Sequence, residues 1–580
     1  MLEPIYTATV KRDFLTFDLE WKKGERKGNV YFPRVSLTGV YDGEKYRHYY
    51  AVADFLDGEL THKNRGKWFY AHAGGLADMI FVLEELLKNP SYQVDASFSG
   101  SSAIIVRVSR GKSKWIFVDS YWLLKDKLAN IAKSVGMQKG EVDFEASNMA
   151  ELIEYNDLDC RILWHAIARF ETTLRDLGGQ LQMTLASCSM FLFRKKYLQR
   201  TIATSQRVNE VSRNAYVASR VEIFQRECQQ ATYYDINSSF PYAMTFDAPG
   251  NFARSTTTLP EGTDLYVADV EIEVPEMHFP PLAYRKHMRV YFPTGRWRQW
   301  FMGVDLRLLE ETGGKIHKVH ECLVFSPFDD LRKFSTDLYE KRLEAKDDMS
   351  KLVLKLLLNS LYGKFGESSF KTSLVCYPDS PPEGDHVSML FPGVFLLENE
   401  VDVAHAHVPI SAHITAKARE VLYRYMESAG DFYYCDTDGF AASRDDVPTG
   451  TGLGALKKEL NIVEGHFYRP KVYDLVHDKG RRVKAKGFTL TPDLDVQYQW
   501  PAEDRPALVK EYTYKQFQSL VNGHHVEIRR FYRIRELFRH GDYRPTEARI
   551  SKRLNREVPK RRFARNGTST PWSVDEIEGL

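Results

Sequence analysis

The segment "FLTFDLEW", residues 14–21, alternates apolar and polar positions. It predicts a strand with Phe17 and Leu19 toward a core and Asp18 and Glu20 together on the opposite face. "WFYAH" predicts another strand, "DMIFVLEELLKN" follows with helical spacing, and "ELIEYNDLDCRILWHAIARF" is a longer helical pattern. "ATYYDINSSFPYAM" predicts an aromatic strand ending at Asp235, then a turn and a helix start. Residues 254–321 are rich in strand and turn signals ("LYVADVEIEVPEM", "MRVYFPTG"). Residues 329–362 are helical, with "DDMS" expected as the tip between two antiparallel helices. "PDSPPEGDH", residues 378–386, predicts an exposed loop, and "VSMLFPGVFLL" after it suits a β-hairpin. There is no internal repeat or low-complexity segment.

A chain of 580 residues is too long for one ordinary core and predicts several domains. Its 43% hydrophobic and 27% charged content is that of a soluble globular protein. The longest apolar runs are broken by charges and fall short of a membrane span, so no membrane partner is expected. The start, "MLEPIYTATVKRD", has no signal-peptide core, so a cytoplasmic location is expected. The 6 cysteines are scattered without a CxxC pair, which suggests neither a structural zinc nor a disulfide framework. A net charge of +2 hides an asymmetry: residues 529–565 carry 14 Lys/Arg against 4 Asp/Glu, interleaved with Phe531, Tyr532, Phe538, Tyr543 and Phe563. Such a run suits either a solvated helical face or a basic element that grips a phosphate backbone.

Two sets of acids stand out. Asp18 and Glu20 share a strand face, Asp78 follows "YAHAGGLA" as a helix opens, and Asp159 in "YNDLD" lies four residues after Tyr155 on one helix face. Singly, each is commonly a surface acid; converging, they suit a two-metal nuclease in which Tyr155 orients the attacking water. In the second set, "YYCDTDG" carries Asp436 and Asp438. Asp-Thr-Asp-Gly is good hairpin-turn chemistry on its own, yet with Asp235 it offers three acids from two strand ends. Between them, Arg342 and Lys346 are spaced as one helical turn, as are Lys355 and Asn359, with Tyr362 continuing that face. A cationic stripe opposite a metal site can hold a triphosphate. An amphipathic helix with solvated lysines explains the leucines but not the Asn-Ser-x-Tyr-Gly that ends the stripe.

"DINSSFPYAM", "KLLLNSLYGKFG" and "YCDTDG" resemble, in order, the A, B and C motifs of family B DNA polymerases. "FDLE", "YAHAGGLAD" and "YNDLD" resemble that family's three proofreading exonuclease motifs. "AYVASRVEIF", similar to the Tyr-x-Gly-Gly/Ala linker, "RPKVYDL", similar to the Lys-x-Tyr motif, and "VKAKGFTLTP" point to the protein-primed subgroup of phages and linear plasmids.

The resemblance implies an α/β multidomain chain, a ribonuclease H-like 3′–5′ exonuclease followed by a right-hand polymerase with inserts. The expected division is exonuclease 1–180, linker and first part of the palm 181–247, an insert like terminal-protein region 1 at 248–328, and fingers 329–366. An insert like terminal-protein region 2 then covers 367–401, the rest of the palm 402–490, and a basic thumb 491–580. It further implies that Asp235, Asp438 and the Ile236 carbonyl hold two Mg²⁺ ions (Mn²⁺ substituting) with Asp436 assisting. Arg342, Lys346, Lys355 and Asn359 would hold the triphosphate, Tyr362 would pack at the nascent pair, and Phe240 would exclude the ribose 2′-OH. Tyr216 and Arg220 would contact DNA, and Lys471, Tyr473 and Lys484 or Lys486 would steady the primer end. Asp18, Glu20, Asp78 and Asp159 would bind the exonuclease metals, with Tyr155 and Lys139 assisting. The implied partners are a DNA template-primer, dNTPs and a terminal priming protein, the polymerase itself being a monomer.

The chain departs from the family at four points: Ser239-Phe240 where Leu-Tyr is usual, Gly439 where Ser is usual, Ala73 where an Asn contacts single-stranded DNA, and Ala77 where an aromatic often sits. The last two put strand capture for editing in question. A conventionally primed polymerase, a DNA-binding relic and a nuclease alone remain the competing expectations.

Overall fold

The structure is a computed structural model describing residues 1–580 except 100–101, 144–146, 493, 534–535, 538–540 and 555–557. Phe538, one of the aromatics in the basic run, lies outside the described residues. No helix among the described residues is long and apolar enough to cross a membrane.

Two sheets carry the two acidic motifs. The first has 12 strands and is built around Phe14–Lys27, which pairs in parallel with Trp68–Ala71 and antiparallel with Val30–Tyr41. The alternation read in "FLTFDLEW" holds: Leu15, Phe17 and Leu19 are buried in an apolar cluster with Phe55, Phe69 and Phe117. The helix Met149–Asp176 lies across this strand, anchored where Thr16 Oγ1 donates to the Cys160 carbonyl at 2.8 Å. It begins in a capping box, Asn148 accepting from the Glu151 N–H while Glu151 reaches back, an arrangement that contributes about 1 kcal/mol.

Segments far away in sequence extend this sheet on both sides. On one, Phe370–Cys376 pairs with Gln93–Ser99 and carries the hairpin His386–Phe391/Val394–Glu400. On the other, Glu547–Lys552 pairs with Val30–Tyr41 and carries Val526–Phe531. The hairpin expected in "VSMLFPGVFLL" and the open loop before it are both present.

The second sheet has 7 strands, in the order Gly480–Ala485, Val472–His477, Leu456–Arg469, Glu227–Ile236, Gly439–Ala442, Phe432–Asp436 and Val221–Ile223. All its pairings are antiparallel. The buried helix Val408–Ser428, absent from the sequence reading, packs beneath it through Leu422, Tyr423 and Met426. Within residues 248–328 the strand-rich character expected over 254–321 takes the form of a 4-stranded sheet, joined by a helix not foreseen there, Gly303–Glu311. The helical stretch divides into Asp330–Glu344 and Asp348–Phe365. "DDMS" is the first turn of the second helix, because Asp347 caps it by accepting from the Ser350 N–H at 2.9 Å.

The basic C-terminal run is less available than its charge suggests. Arg529 pairs with Glu547, Arg530 with Glu536, Arg544 with Asp542 and Arg562 with Glu576, while Arg561 is fully buried. Phe531, Tyr532 and Tyr543 pack against the core of the first sheet, and Phe563 packs in the second. Much of the run therefore buttresses the fold.

Candidate active sites

In the first site Asp18 and Glu20 stand on one strand, and the intervening Leu19 N–H donates to Asp78 Oδ1 at 3.1 Å, which draws the start of the helix Asp78–Leu87 onto them. The long helix supplies three more groups. Asn156 Nδ2 donates to Asp18 Oδ2 at 3.2 Å and to Glu20 Oε1 at 3.2 Å, and Tyr46 fixes the amide by donating to its Oδ1 at 2.9 Å. Only glycine fits opposite: a Cβ at Gly39 would lie 1.7 Å from Asn156 Oδ1. Asp159 is ion-paired with Lys139, whose ammonium also sits 4.5 Å from the Tyr155 ring centre. Burial, then mutual repulsion, raises the carboxyl pKa values of Asp18, Glu20 and Asp78, and burial raises that of Asp159 against the pull of Lys139.

Among the described residues no group of three or more His, Cys, Asp and Glu side chains already forms a cation cage. The donor chemistry nonetheless fits a hard divalent cation. The donors are carboxylates that repel one another, and Asp159 Oδ1 is buried with no hydrogen-bond partner. Ala73 and Ala77 bracket the short turn Gly74–Leu76 before Asp78, Ala73 with φ 55°. Neither offers a polar group toward a strand end. His72 is held between Ser120 Oγ (3.0 Å) and the Asp126 carbonyl (2.8 Å).

In the second site "DTDG" is a two-residue hairpin turn, and that turn is what builds the site. Asp436 pairs across it with Gly439, and Gly439 pairs with Asp235 on the next strand, so the register sets all three acids at one end of the sheet. Thr437 takes φ 69°, and the Asp438 carbonyl accepts from the Ile236 N–H at 2.8 Å. Gly439 has a local reason here, since a Cβ would meet the Tyr233 ring at 2.9 Å. Burial and the neighbouring Asp235 and Asp436 push Asp438 up to about 6.

Cations surround the group. Lys471 Nζ is 2.7 Å and Lys484 Nζ 3.6 Å from Asp436, and Lys457 Nζ is 3.7 Å from Asp235. Lys355 also lowers the Asp235 pKa, against the larger raising effects of burial and Glu459. Arg342 Nη1 reaches Ser238 Oγ at 3.5 Å, and Asn359 Nδ2 donates to the Lys355 carbonyl at 2.7 Å. Phe240 and Tyr362 stack with ring centres 4.2 Å apart and planes at 15°.

A family profile described as "DNA polymerase type B, organellar and viral" matches residues 146–429. Over that stretch, just under half of its length, the chain is similar to the type B DNA polymerases of organelles and viruses. It is 24% identical to a "Probable DNA polymerase" of Ascobolus immersus, over 74% of this chain and 43% of that protein. It is also 24% identical to the "DNA-directed DNA polymerase" of Enterobacteria phage PRD1, over 83% of this chain and 86% of that one. The chain thus spans about two fifths of the fungal relatives it matches first. In fold it is similar to Phi29 DNA polymerase complexed with primer-template DNA and incoming nucleotides (TM-score 0.71, 17% identity, 94% of this chain and 100% of that chain). The α/β multidomain fold is therefore the one seen in Phi29 DNA polymerase, with its exonuclease, palm, fingers and thumb domains.

Three residues lie elsewhere than the resemblance implies. Lys346 is in the link between the helices Asp330–Glu344 and Asp348–Phe365, so it is not one turn along from Arg342. Arg220, expected on DNA, is buried at 3% exposure and held by Glu222. Tyr473 is buried at 2%, its ring edge-on to Tyr434. Tyr216 is half-buried against Gly366. Of the two alternative lysines, Lys484 faces Asp436 while Lys486 is exposed.

The sequence reading passed over Asn156, although it sits inside "YNDLD" beside Tyr155. It also passed over Lys457 and Glu459, which Asp235 meets only because Leu456–Arg469 pairs with its strand around a bulge at Lys458/Leu460. A cavity of about 1230 Å³ is lined among others by Arg226, Arg289, Arg469, Arg553 and Lys560.

Proposed function

We propose that this chain is a DNA-directed DNA polymerase with an attached 3′–5′ exonuclease, and that its synthesis is protein-primed, processive and strand-displacing. The observation that carries the reading is the Asp235–Asp438 pair set by strand register, with Asp438 near enough to act on Tyr362 of the Phe240–Tyr362 stack, Lys355 acting on Asp235, and Arg342 reaching Ser238 just after it. In the polymerase site Asp235, Asp438 and the Ile236 carbonyl would hold Mg²⁺ or Mn²⁺; in the nuclease site Asp18, Glu20, Asp78 and Asp159 would. Such a pair of ions, when bound, supplies activation of the attacking oxygen and neutralises charge on the leaving one.

The chain's own groups do the rest. Arg342 and Lys355 hold the triphosphate by charge-assisted contacts, and Asn359 fixes that helix face. Phe240 closes the space a ribose 2′-OH would need, its plane backed by Tyr362. Lys471 and Lys484, which neutralise Asp436, steady the primer end. In the nuclease site Tyr155 orients the attacking water and Lys139 holds Asp159. The hairpin 386–400 is the element we assign to parting the downstream duplex. Residues 248–328 are those we assign to docking a small basic terminal protein whose hydroxyl accepts the first nucleotide.

Primer extension with and without dNTPs tests the core of this. Extension with dNTPs and 3′-end shortening without them is the expected pair of results. Shortening alone would leave a nuclease, and binding without either activity would leave a DNA-binding relic. Incubation with replicon extract and one labelled dNTP, followed by denaturing electrophoresis, tests priming. Label on DNA only, and only with an oligonucleotide primer, would remove the terminal protein and leave a conventionally primed polymerase.

A further inference from the structure

Directly beneath the Asp436-Thr437-Asp438 turn lies a buried charge cluster that the proposed chemistry does not use. Arg220 donates through Nε to Glu222 Oε2 at 2.7 Å, with Nη2 2.6 Å from the same oxygen. A third charged group, Arg561, comes from the C-terminal segment, and exposures of 3%, 0% and 0% place all three in the interior. Glu222 Oε1 and Arg561 Nη1 are buried without hydrogen-bond partners. Two guanidiniums and one carboxylate, incompletely paired and out of water, are a poor way to stabilise a core. The cluster therefore calls for another explanation.

Its contacts supply one. Strand Val221–Ile223 pairs with Phe432–Asp436 so that Asp436 faces Val221, and the Arg220 carbonyl accepts from the Thr437 N–H at 2.9 Å. Thr437 sits at φ 69°, a conformation unfavourable for a β-branched residue, so that hydrogen bond helps hold the turn in its shape. The guanidinium of the same Arg220 reaches away from the turn. It donates to the Pro280 carbonyl at 2.8 Å and lies 4.2 Å and 4.0 Å from the ring centres of Phe279 and Phe292, all in the 248–328 insert. Arg561 in turn donates to the His278 carbonyl at 2.8 Å and to Ser569 Oγ at 2.8 Å, and lies 4.6 Å from the Phe224 ring centre.

We propose that Arg220 is a positioning residue for polymerisation. Its backbone would hold the turn bearing Asp436 and Asp438, while its side chain clamps that backbone to the insert, onto which Arg561 separately ties the C-terminal segment through His278. The geometry of the two carboxylates then depends on the seating of the insert, which couples whatever occupies the insert to the polymerase centre but not to the nuclease. The inference rests on the polymerase reading above.

The test compares full-length wild type with Arg220→Lys and Arg220→Met, measuring single-turnover nucleotide addition, its Mg²⁺ dependence, and 3′-end degradation on the same preparations. Lys keeps the charge but not the fork that reaches Glu222 and Pro280 together. Misplacing the turn should lower nucleotide addition by about 10–100-fold and move the Mg²⁺ midpoint upward in Arg220→Lys. Degradation should stay within about twofold of wild type. Wild-type extension with a wild-type Mg²⁺ midpoint in Arg220→Lys would overturn the proposal, as would equal loss of both activities in that variant. If Arg220→Met does not fold, Arg220→Lys decides alone. Absence of extension by the wild type would instead remove the polymerase reading, and this proposal with it.

Discussion

In the site on the 12-stranded sheet, Lys139 faces a group of four carboxylates and the neutral amide of Asn156 bridges two of them. In the hairpin site, Lys471 and Lys484 meet Asp436, and Lys457 and Lys355 act on Asp235. The charge problem is the same and the compensation differs. At the first site burial and repulsion lift Glu20 and Asp78 well above the ordinary carboxylate range, so protons balance the charge until a cation displaces them. At the second, lysines already do much of that work, and Asp438 is raised only to about 6. A cation arriving at the first site therefore competes with protons, whereas one arriving at the hairpin site competes with lysine side chains.

The sharpest way to break the comparison is to remove acids from one site at a time. Asp235→Ala or Asp438→Ala should lower nucleotide addition by roughly 10³-fold or more, the several kcal/mol that a lost metal ligand removes. Single-stranded 3′-end degradation should persist. Near wild-type extension by either variant would refute the assignment. The reciprocal pair, Asp18→Ala with Glu20→Ala, should abolish degradation and leave extension within about twofold, measured on the same primer; continued shortening would move the nuclease centre elsewhere.

A pH series exposes the difference in compensation. At limiting Mg²⁺, extension should fall as pH drops below about 6, where Asp438 takes up its proton, and degradation should fall already below about 7, where Asp18 does. Coincident acid limbs would contradict this. Stability responds to pH in the opposite direction. In chelator the folded chain retains protons that the unfolded chain releases near 3.8 at Asp18, so stability is lost as pH rises from there through the raised folded value. Melting temperature in EDTA should decline over that window, and Asp18→Asn should flatten the decline.

The smallest expected effect is at Ala73. Its φ of 55° is one that Asn accepts more readily than Ala, so Ala73→Asn should fold without penalty and raise degradation of single-stranded ends by a few-fold. No change in rate would mean that another residue captures the strand.

Much of each site was legible in advance, for reasons visible at particular residues. The period of two put Asp18 and Glu20 on one face. The turn chemistry of Asp-Thr-Asp-Gly built the hairpin, and the period of 3.6 aligned Lys355, Asn359 and Tyr362. Lys346 failed because the periodic reading ran past the helix end at Glu344, where Ala345 turns extended before Asp347 caps the next helix. Arg220 failed because a motif places a residue along the chain without saying which way its side chain leaves the backbone.

Local pattern thus decides what neighbouring residues share: a strand face, a helix face, a turn. Pairing between distant strands is decided only in the folded molecule, because backbone hydrogen bonds join strands without reading side-chain identity along the way. That is how Phe370–Cys376 and Glu547–Lys552 come to extend one sheet from opposite sides, and how Glu459 comes to stand near Asp235. Whether a charge is solvated or buried depends in turn on what folds over it. Arg561 reads in the sequence as one more cation of a DNA-gripping run, and only the closing of the C-terminal segment onto His278 and Phe224 makes it part of the interior.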